Sequence, residues 1–177
     1  MNNVKRNICM LASFVLIVGA LSGCGRKSEP VKLTDTVNQI QGMDDYAPSG
    51  GLSKAFSENV VYEVTNVSWS GESGVAEVKV TTPDLGQIIS DSIQTAISEQ
   101  GAEDYDALLD RVKENIQAVL SSEDYPTLEQ TVEMDAEKTE GGYTLISNEE
   151  FERIVSGNLE EIFLQALMEG LTNENAN

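Results

Sequence analysis

Two stretches of apolar–polar alternation, broken only at Val75 and Gln130, commit this chain to a sheet that is dry on one face and wet on the other. In Val75–Thr81, Ala76, Val78 and Val80 alternate with Glu77, Lys79 and Thr81. In Leu128–Ala136, Leu128, Gln130, Val132, Met134 and Ala136 alternate with Glu129, Thr131, Glu133 and Asp135. A period of two sorts each set onto opposite sides of a pleated strand, the pattern of a half-buried antiparallel sheet. Each stretch has a neighbour to pair with. Val60–Trp69 is rich in β-branched and aromatic residues and precedes the turn Ser70-Gly71-Glu72-Ser73-Gly74. Glu140-Gly141-Gly142 turns the later stretch back into a short strand, Tyr143–Ile146.

Between the two hairpins the period changes from two to 3.6. Thr82-Pro83-Asp84 stops the strand, and Asp84 is placed to cap a helix whose stripe is Leu85, Ile88, Ile89, Ile93, Ala96 and Ile97. Gly101 ends it. A second helix starts near Glu103 and turns Tyr105, Leu108, Leu109, Val112, Ile116, Val119 and Leu120 inward, before a break at Ser121–Pro126. A short helix, Leu52–Ser57, precedes the first strand. After the second hairpin, Ser147 and Glu150 stand at capping-box spacing ahead of Phe151, Ile154, Val155, Leu159, Ile162, Phe163, Ala166 and Leu167. Gly157 falls inside this last helix, where the close approach of a neighbour explains a residue that otherwise weakens it. The order predicts an α+β fold, a curved antiparallel sheet of two hairpins packed against helices.

The first residues follow a different logic. Lys5 and Arg6 are followed by the apolar run Ile8–Leu21, too short to span a bilayer comfortably, and then by small residues up to Cys24. Leu21-Ser22-Gly23-Cys24 resembles the lipobox of bacterial lipoprotein precursors. The resemblance implies a diacylglyceryl group on Cys24 and cleavage just before it, with the protein held in the membrane on its extracytoplasmic side. Two acyl chains at roughly 0.8 kcal/mol per buried methylene give stable attachment where one does not. The domain plan is therefore residues 1–23 as signal peptide, 24–50 as lipidated cysteine and flexible tether, 51–171 as the globular domain and 172–177 as a frayed tail. As a coil, a tether of about 26 residues would span roughly 30 Å.

Cleavage takes two basic residues and no acid, lowering the net charge of −19 to −21. Such a chain is repelled by polyanions, so nucleic acid is not an expected partner. The two cysteines are Cys9, which leaves with the signal, and Cys24, so an exported domain has no disulfide and must stand on its core. There is no histidine. That removes the commonest general base, the Ser-His and Cys-His pairs and the usual zinc sites. Asp104 and Asp106 open like a calcium loop, but Leu108 at its fifth position and Leu109 at its sixth exclude an EF-hand. No Gly-rich phosphate loop occurs. This reading assigns no catalytic residue, no cofactor and no metal site.

The remaining candidates are aromatic. Tyr62, Trp69 and Tyr143 are the candidate ligand-binding residues, placed to line a cleft mouth, although aromatic residues on strands more often serve packing. Val61-Tyr62-Glu63-Val64, the junction Val78-Lys79-Val80-Thr81-Thr82-Pro83-Asp84-Leu85 and the Gly142-Tyr143 hairpin ahead of the Gly157 helix resemble small lipoproteins of Gram-positive bacteria. That resemblance implies a cystatin-like domain of the nuclear transport factor 2-like kind, and no activity. The expectation is a membrane-anchored, non-catalytic binding or envelope-associated module with a protein or small-molecule ligand. The alternative is a small-molecule carrier or hydrolase with a pocket between sheet and helices. A third class, a structural accessory to an envelope complex, would carry a large exposed apolar patch.

Overall fold

A computed structural model describes residues 28–43, 46, 48, 51–100, 105–122, 124–157 and 162. The long hairpin comes first in space. Strands β3 (Val61–Ser70) and β4 (Ser73–Pro83) meet at Ser70 and Ser73 around a two-residue turn. β4 pairs along its whole length with β5 (Thr127–Thr139), which turns into β6 (Gly142–Ile146). Both predicted hairpins are present, and they join edge to edge as one antiparallel block.

Two further strands lie where the sequence suggests a tether. β1 (Val31–Lys32) pairs antiparallel with β3, and β2 (Ile40–Gln41) pairs parallel with β6. Between them run a single helical turn, α1 (Leu33–Thr36), and a 3-10 turn, Val37–Gln39. The expectation of a flexible tether through residue 50 is thus corrected for residues 28–43. The physical reason is burial: Leu33, Val37, Ile40 and Met43 all sit in the core. Four apolar side chains at these spacings are too few to mark a segment by composition, yet enough to dock it against a sheet. The sheet is therefore mixed, strongly curled and six-stranded, in the order β1-β3-β4-β5-β6-β2.

The helices follow the predicted stripes. α2 (Gly51–Ser57) buries Phe56, and α3 (Leu85–Gln100) buries Leu85, Ile88, Ile89, Ile93 and Ala96. α4 (Tyr105–Leu120) packs on α3 and buries Leu108, Val112, Ile116 and Leu120. Asp84 caps α3 as expected, its Oδ1 accepting from the Gln87 amide at 3.1 Å. α5 (Glu149–Ser156) packs on β4 and β5 and places Phe151, Ile154 and Val155 in the core.

Two details at α5 differ from the sequence reading. Its cap is Asn148 and not Ser147: the Asn148 Oδ1 accepts from the Phe151 amide at 2.9 Å, and its Nδ2 reaches the Glu133 carbonyl at 2.7 Å. Ser147 is still bonded to the sheet, its amide donating to the Gln41 carbonyl at 2.8 Å. The helix also stops at Gly157, which adopts the left-handed conformation (φ 70°) that closes a helix C-terminus. The expected close approach is real, because a Cβ there would lie 2.8 Å from the Phe56 ring and 2.9 Å from Leu85 Cδ1. Cys24 with its lipobox, Gly101, Glu103, Asp104, Leu159, Phe163, Ala166, Leu167, Gly170 and the tail 172–177 lie outside the described residues.

The inner side of the sheet carries Tyr62, Val64, Ala76, Val78, Val80, Val132, Met134, Ala136 and Leu145, all buried. The outer side is acidic. Lys79 bridges Glu129 (3.1 Å) and Glu63 (3.6 Å) there, while Glu77 stands directly opposite Glu133, a like-charge pair.

Candidate functional site

The three aromatic candidates share the inner side of the sheet but not one environment. A bulge decides this. Val64 faces Val78 and Asn66 faces Glu77, so Thr65 is an extra residue in β3, and its hydroxyl donates to the Glu77 carbonyl at 3.0 Å. The insertion shifts the alternation by one. Tyr62 and Val64 point inward before it, and Val67 and Trp69, opposite Ala76 and Gly74, point inward after it. The sequence carries the signal as a change of parity in the apolar positions, from 62 and 64 to 67 and 69.

Trp69 and Tyr143 meet. Their ring centroids are 5.8 Å apart at 68°, an edge-on contact at the end of the sheet where both hairpins turn. The indole folds across its cross-strand neighbour Gly74, where a Cβ would lie 2.7 Å from Trp69 Cε3. Lys138, which sequence reasoning did not single out, stands opposite Tyr143 and places Nζ 5.3 Å from the Trp69 ring centroid. The same Nζ donates to the Gly71 carbonyl at 2.7 Å, and the Lys138 amide donates to the Glu72 carbonyl at 3.0 Å. These bonds clamp the β3–β4 turn to β5. Trp69 nevertheless stays 40 % exposed. Burial pushes the Tyr143 phenol above its ordinary value, and nearby Tyr62 adds to the shift.

Tyr62 lies further along β3, inside the core. Its ring meets Phe151 edge-on at 6.4 Å, and its hydroxyl donates to Thr36 Oγ1 at 3.0 Å. Thr36 passes the bond on to the Lys32 carbonyl at 3.1 Å. Burial raises the Tyr62 pKa, partly opposed by the bond to Thr36. Tyr62 therefore fastens the N-terminal segment to the core, and its ring contact is with Phe151 and not with the exposed pair.

A second feature is a cleft of about 390 Å³ between α1, the end of α2 and the end of α4. Lys32, Asp35, Glu58 and Asn59 give it a polar lining, with Ala55 and Leu120 as its apolar part. Asn59 builds one wall. Its Nδ2 donates to the Ala55 carbonyl (2.9 Å) and the Leu120 carbonyl (2.8 Å), and its Oδ1 accepts from the Tyr125 hydroxyl (2.9 Å). The side chain thus answers two carbonyls left free at helix ends. Nothing in the sequence marks Asn59 beyond its place after a short helix.

Among the described residues no group of three acidic or thiol side chains is arranged to hold a metal ion, and no helix is long and apolar enough to cross a membrane. The cationic groups with raised pKa values are held by carboxylates: Lys79 by its bond to Glu129, and Arg111 by Glu99 and then Glu114. No family model, no curated protein and no solved structure matches this chain.

Proposed function

We propose that this protein is an extracytoplasmic lipoprotein, anchored through Cys24, whose domain binds a partner and carries out no reaction. The observation that supports a binding module over a carrier or hydrolase is the filling of the curled sheet. Its inner side is occupied by the side chains of α5 and the N-terminal segment, which with the sheet form one continuous buried cluster. Every buried side-chain polar atom among the described residues has a hydrogen-bond partner. A carrier would leave apolar volume with a few converging polar groups, and here that volume is taken by Phe151, Met134 and Val155. The absence of histidine and of a free thiol in the mature sequence adds to this reading. Anchor and address rest on the lipobox.

The cystatin-like reading of the fold is supported by the four antiparallel strands β3–β6 curling around helices, with a short helix just ahead of them. α3 and α4 depart from that plan by lying between the hairpins. Titration with the neutral apolar dye Nile red tests the binding-module reading. A filled interior gives no saturable fluorescence rise from the native protein. A stoichiometric rise, competed by a fatty acid or other apolar ligand, would favour the carrier.

A further inference from the structure

We propose that the end of the sheet bearing Trp69, Tyr143 and Lys138 rests in the lipid headgroup layer of the anchoring membrane; this rests on the lipid attachment at Cys24 proposed above. The length of the leash is the first argument. The Ser28 amide donates to the Val64 carbonyl at 3.1 Å, and the Val64 amide donates to Ser28 Oγ at 2.8 Å, so Ser28 is fixed to the edge of the sheet. Only Gly25, Arg26 and Lys27 separate it from Cys24. Four residue steps of at most about 3.6 Å bound the reach at roughly 14 Å. Each headgroup layer is itself roughly 5–8 Å deep, so Ser28 can stand at most roughly 6–9 Å beyond it, less than the width of the domain.

The path of the chain is the second argument. β1 runs antiparallel to β3, with Lys32 opposite Val61, Val31 opposite Tyr62 and Ser28 bonded to Val64. Followed back toward Cys24, the described backbone advances along β3 toward Trp69. Trp69 lies five residues beyond Val64, about 16 Å along a strand. The anchor therefore holds this end of the sheet, and not its opposite end, against the bilayer.

The chemistry of the surface agrees. An exposed indole beside a phenol and a long-stemmed lysine is the composition of a membrane–water interface, where amphipathic rings and snorkelling cations sit at headgroup depth. Arg26 and Lys27 on the leash add positive charge. Glu72, Glu137 and Glu140 are exposed at the same end and offset it. The short leash therefore holds the contact and the aromatic pair fills it, so neutral headgroups suffice.

Trp69 is the only tryptophan, so its emission reports the contact directly. The acylated mature protein is reconstituted in phosphatidylcholine vesicles, with and without lipids brominated high on the acyl chain. The expected result is loss of Trp69 emission in the brominated vesicles and reduced quenching by aqueous acrylamide. A flexible Gly/Ser insertion of about 20 residues between Lys27 and Ser28, with a typical span of roughly 25 Å, should restore the emission while leaving flotation with vesicles unchanged. Protein that floats with vesicles but keeps its emission overturns this proposal and leaves the anchor standing. Quenching that the insertion does not relieve overturns it as well, since the leash would not be its cause. A Cys24→Ala protein that floats as well as wild type overturns the anchor, and this proposal with it.

Discussion

Replacing Gly157 by alanine tests how the end of α5 is locked to the core. Gly157 holds φ at 70°, and its amide closes the last turn on the Ile154 carbonyl at 3.2 Å. An alanine there meets two separate penalties. The left-handed backbone costs a residue with a Cβ about 1–2 kcal/mol. The new methyl also falls 2.8 Å from Phe56 Cε1 and Cζ and 2.9 Å from Leu85 Cδ1. Phe56 and Leu85 are both buried, so neither can step aside, and overpacking of this kind costs about 1–3 kcal/mol. Together the loss is roughly 2–5 kcal/mol, a large part of the roughly 5–15 kcal/mol that holds a domain folded. Gly71→Ala is the internal control: φ there is 72° and nothing lies within 4 Å of the added carbon, so only the backbone penalty applies. Urea unfolding followed by far-ultraviolet circular dichroism should show both midpoints lowered at unchanged slope, with Gly157→Ala clearly lower. Equal midpoints for the two variants would refute the contact argument.

Three further outcomes follow from the hydrogen bonds and titrating groups. Asn148→Ala should lose about 0.5–2 kcal/mol of stability as a lost helix cap, and Ser147→Ala clearly less; the reverse order in urea unfolding would restore Ser147 as the cap. Asn59→Ala should cost about 1–3 kcal/mol and Tyr125→Phe about 0.5–1.5 kcal/mol, with a double variant less destabilised than their sum because both remove the same bond. Additive losses would show that the Tyr125–Asn59 bond contributes nothing. Burial raises the phenols of Tyr46, Tyr62, Tyr125 and Tyr143 above 10.0, so all four are neutral in both states at lower pH. Above that value the unfolded chain ionises first, and stability falls as pH rises. Lys79, raised above 10.5 by Glu129, acts in the same direction. A urea midpoint that held steady or rose between about pH 9 and 11 would contradict this sign.

Local pattern carried most of the fold. The alternation of Val75–Thr81 and Leu128–Ala136 and the stripes of α3 and α4 correctly located the elements that make the largest part of the core. What escaped depends on partners far away in the chain. Ile40 and Gln41 form a strand only because Leu145 and Ile146 lie beside them, and no two-residue segment announces such a pairing. Leu33, Val37 and Met43 sit in a polar stretch whose average composition resembles a linker, and only the sheet's concavity gives them somewhere to go. The helix stop at Gly157 was masked by the apolar residues that follow it at helical spacing, although a glycine that accepts positive φ is the usual residue for such a stop. At the candidate site the sequence grouped Tyr62, Trp69 and Tyr143 as one cleft mouth, and the structure brings only Trp69 and Tyr143 into ring contact. The bulge at Thr65 brings Trp69 onto the inner side that Tyr62 shares, and what sets Tyr62 apart is its packing on Phe151 and its bond to Thr36, partners remote in the chain. Lys138 was invisible as a single charge among many, and gains its place only through its register opposite Tyr143.

The central claim is that Cys24 carries lipid and holds the domain at the membrane. Growth with labelled palmitate, followed by fractionation of wild type and Cys24→Ala, tests it most directly. The account predicts label and membrane recovery for the wild-type protein, in a chain that begins at Cys24, and neither for the variant. Equal labelling of the two, or a wild-type chain that keeps residues 1–23 and leaves the membrane in a wash, would contradict it.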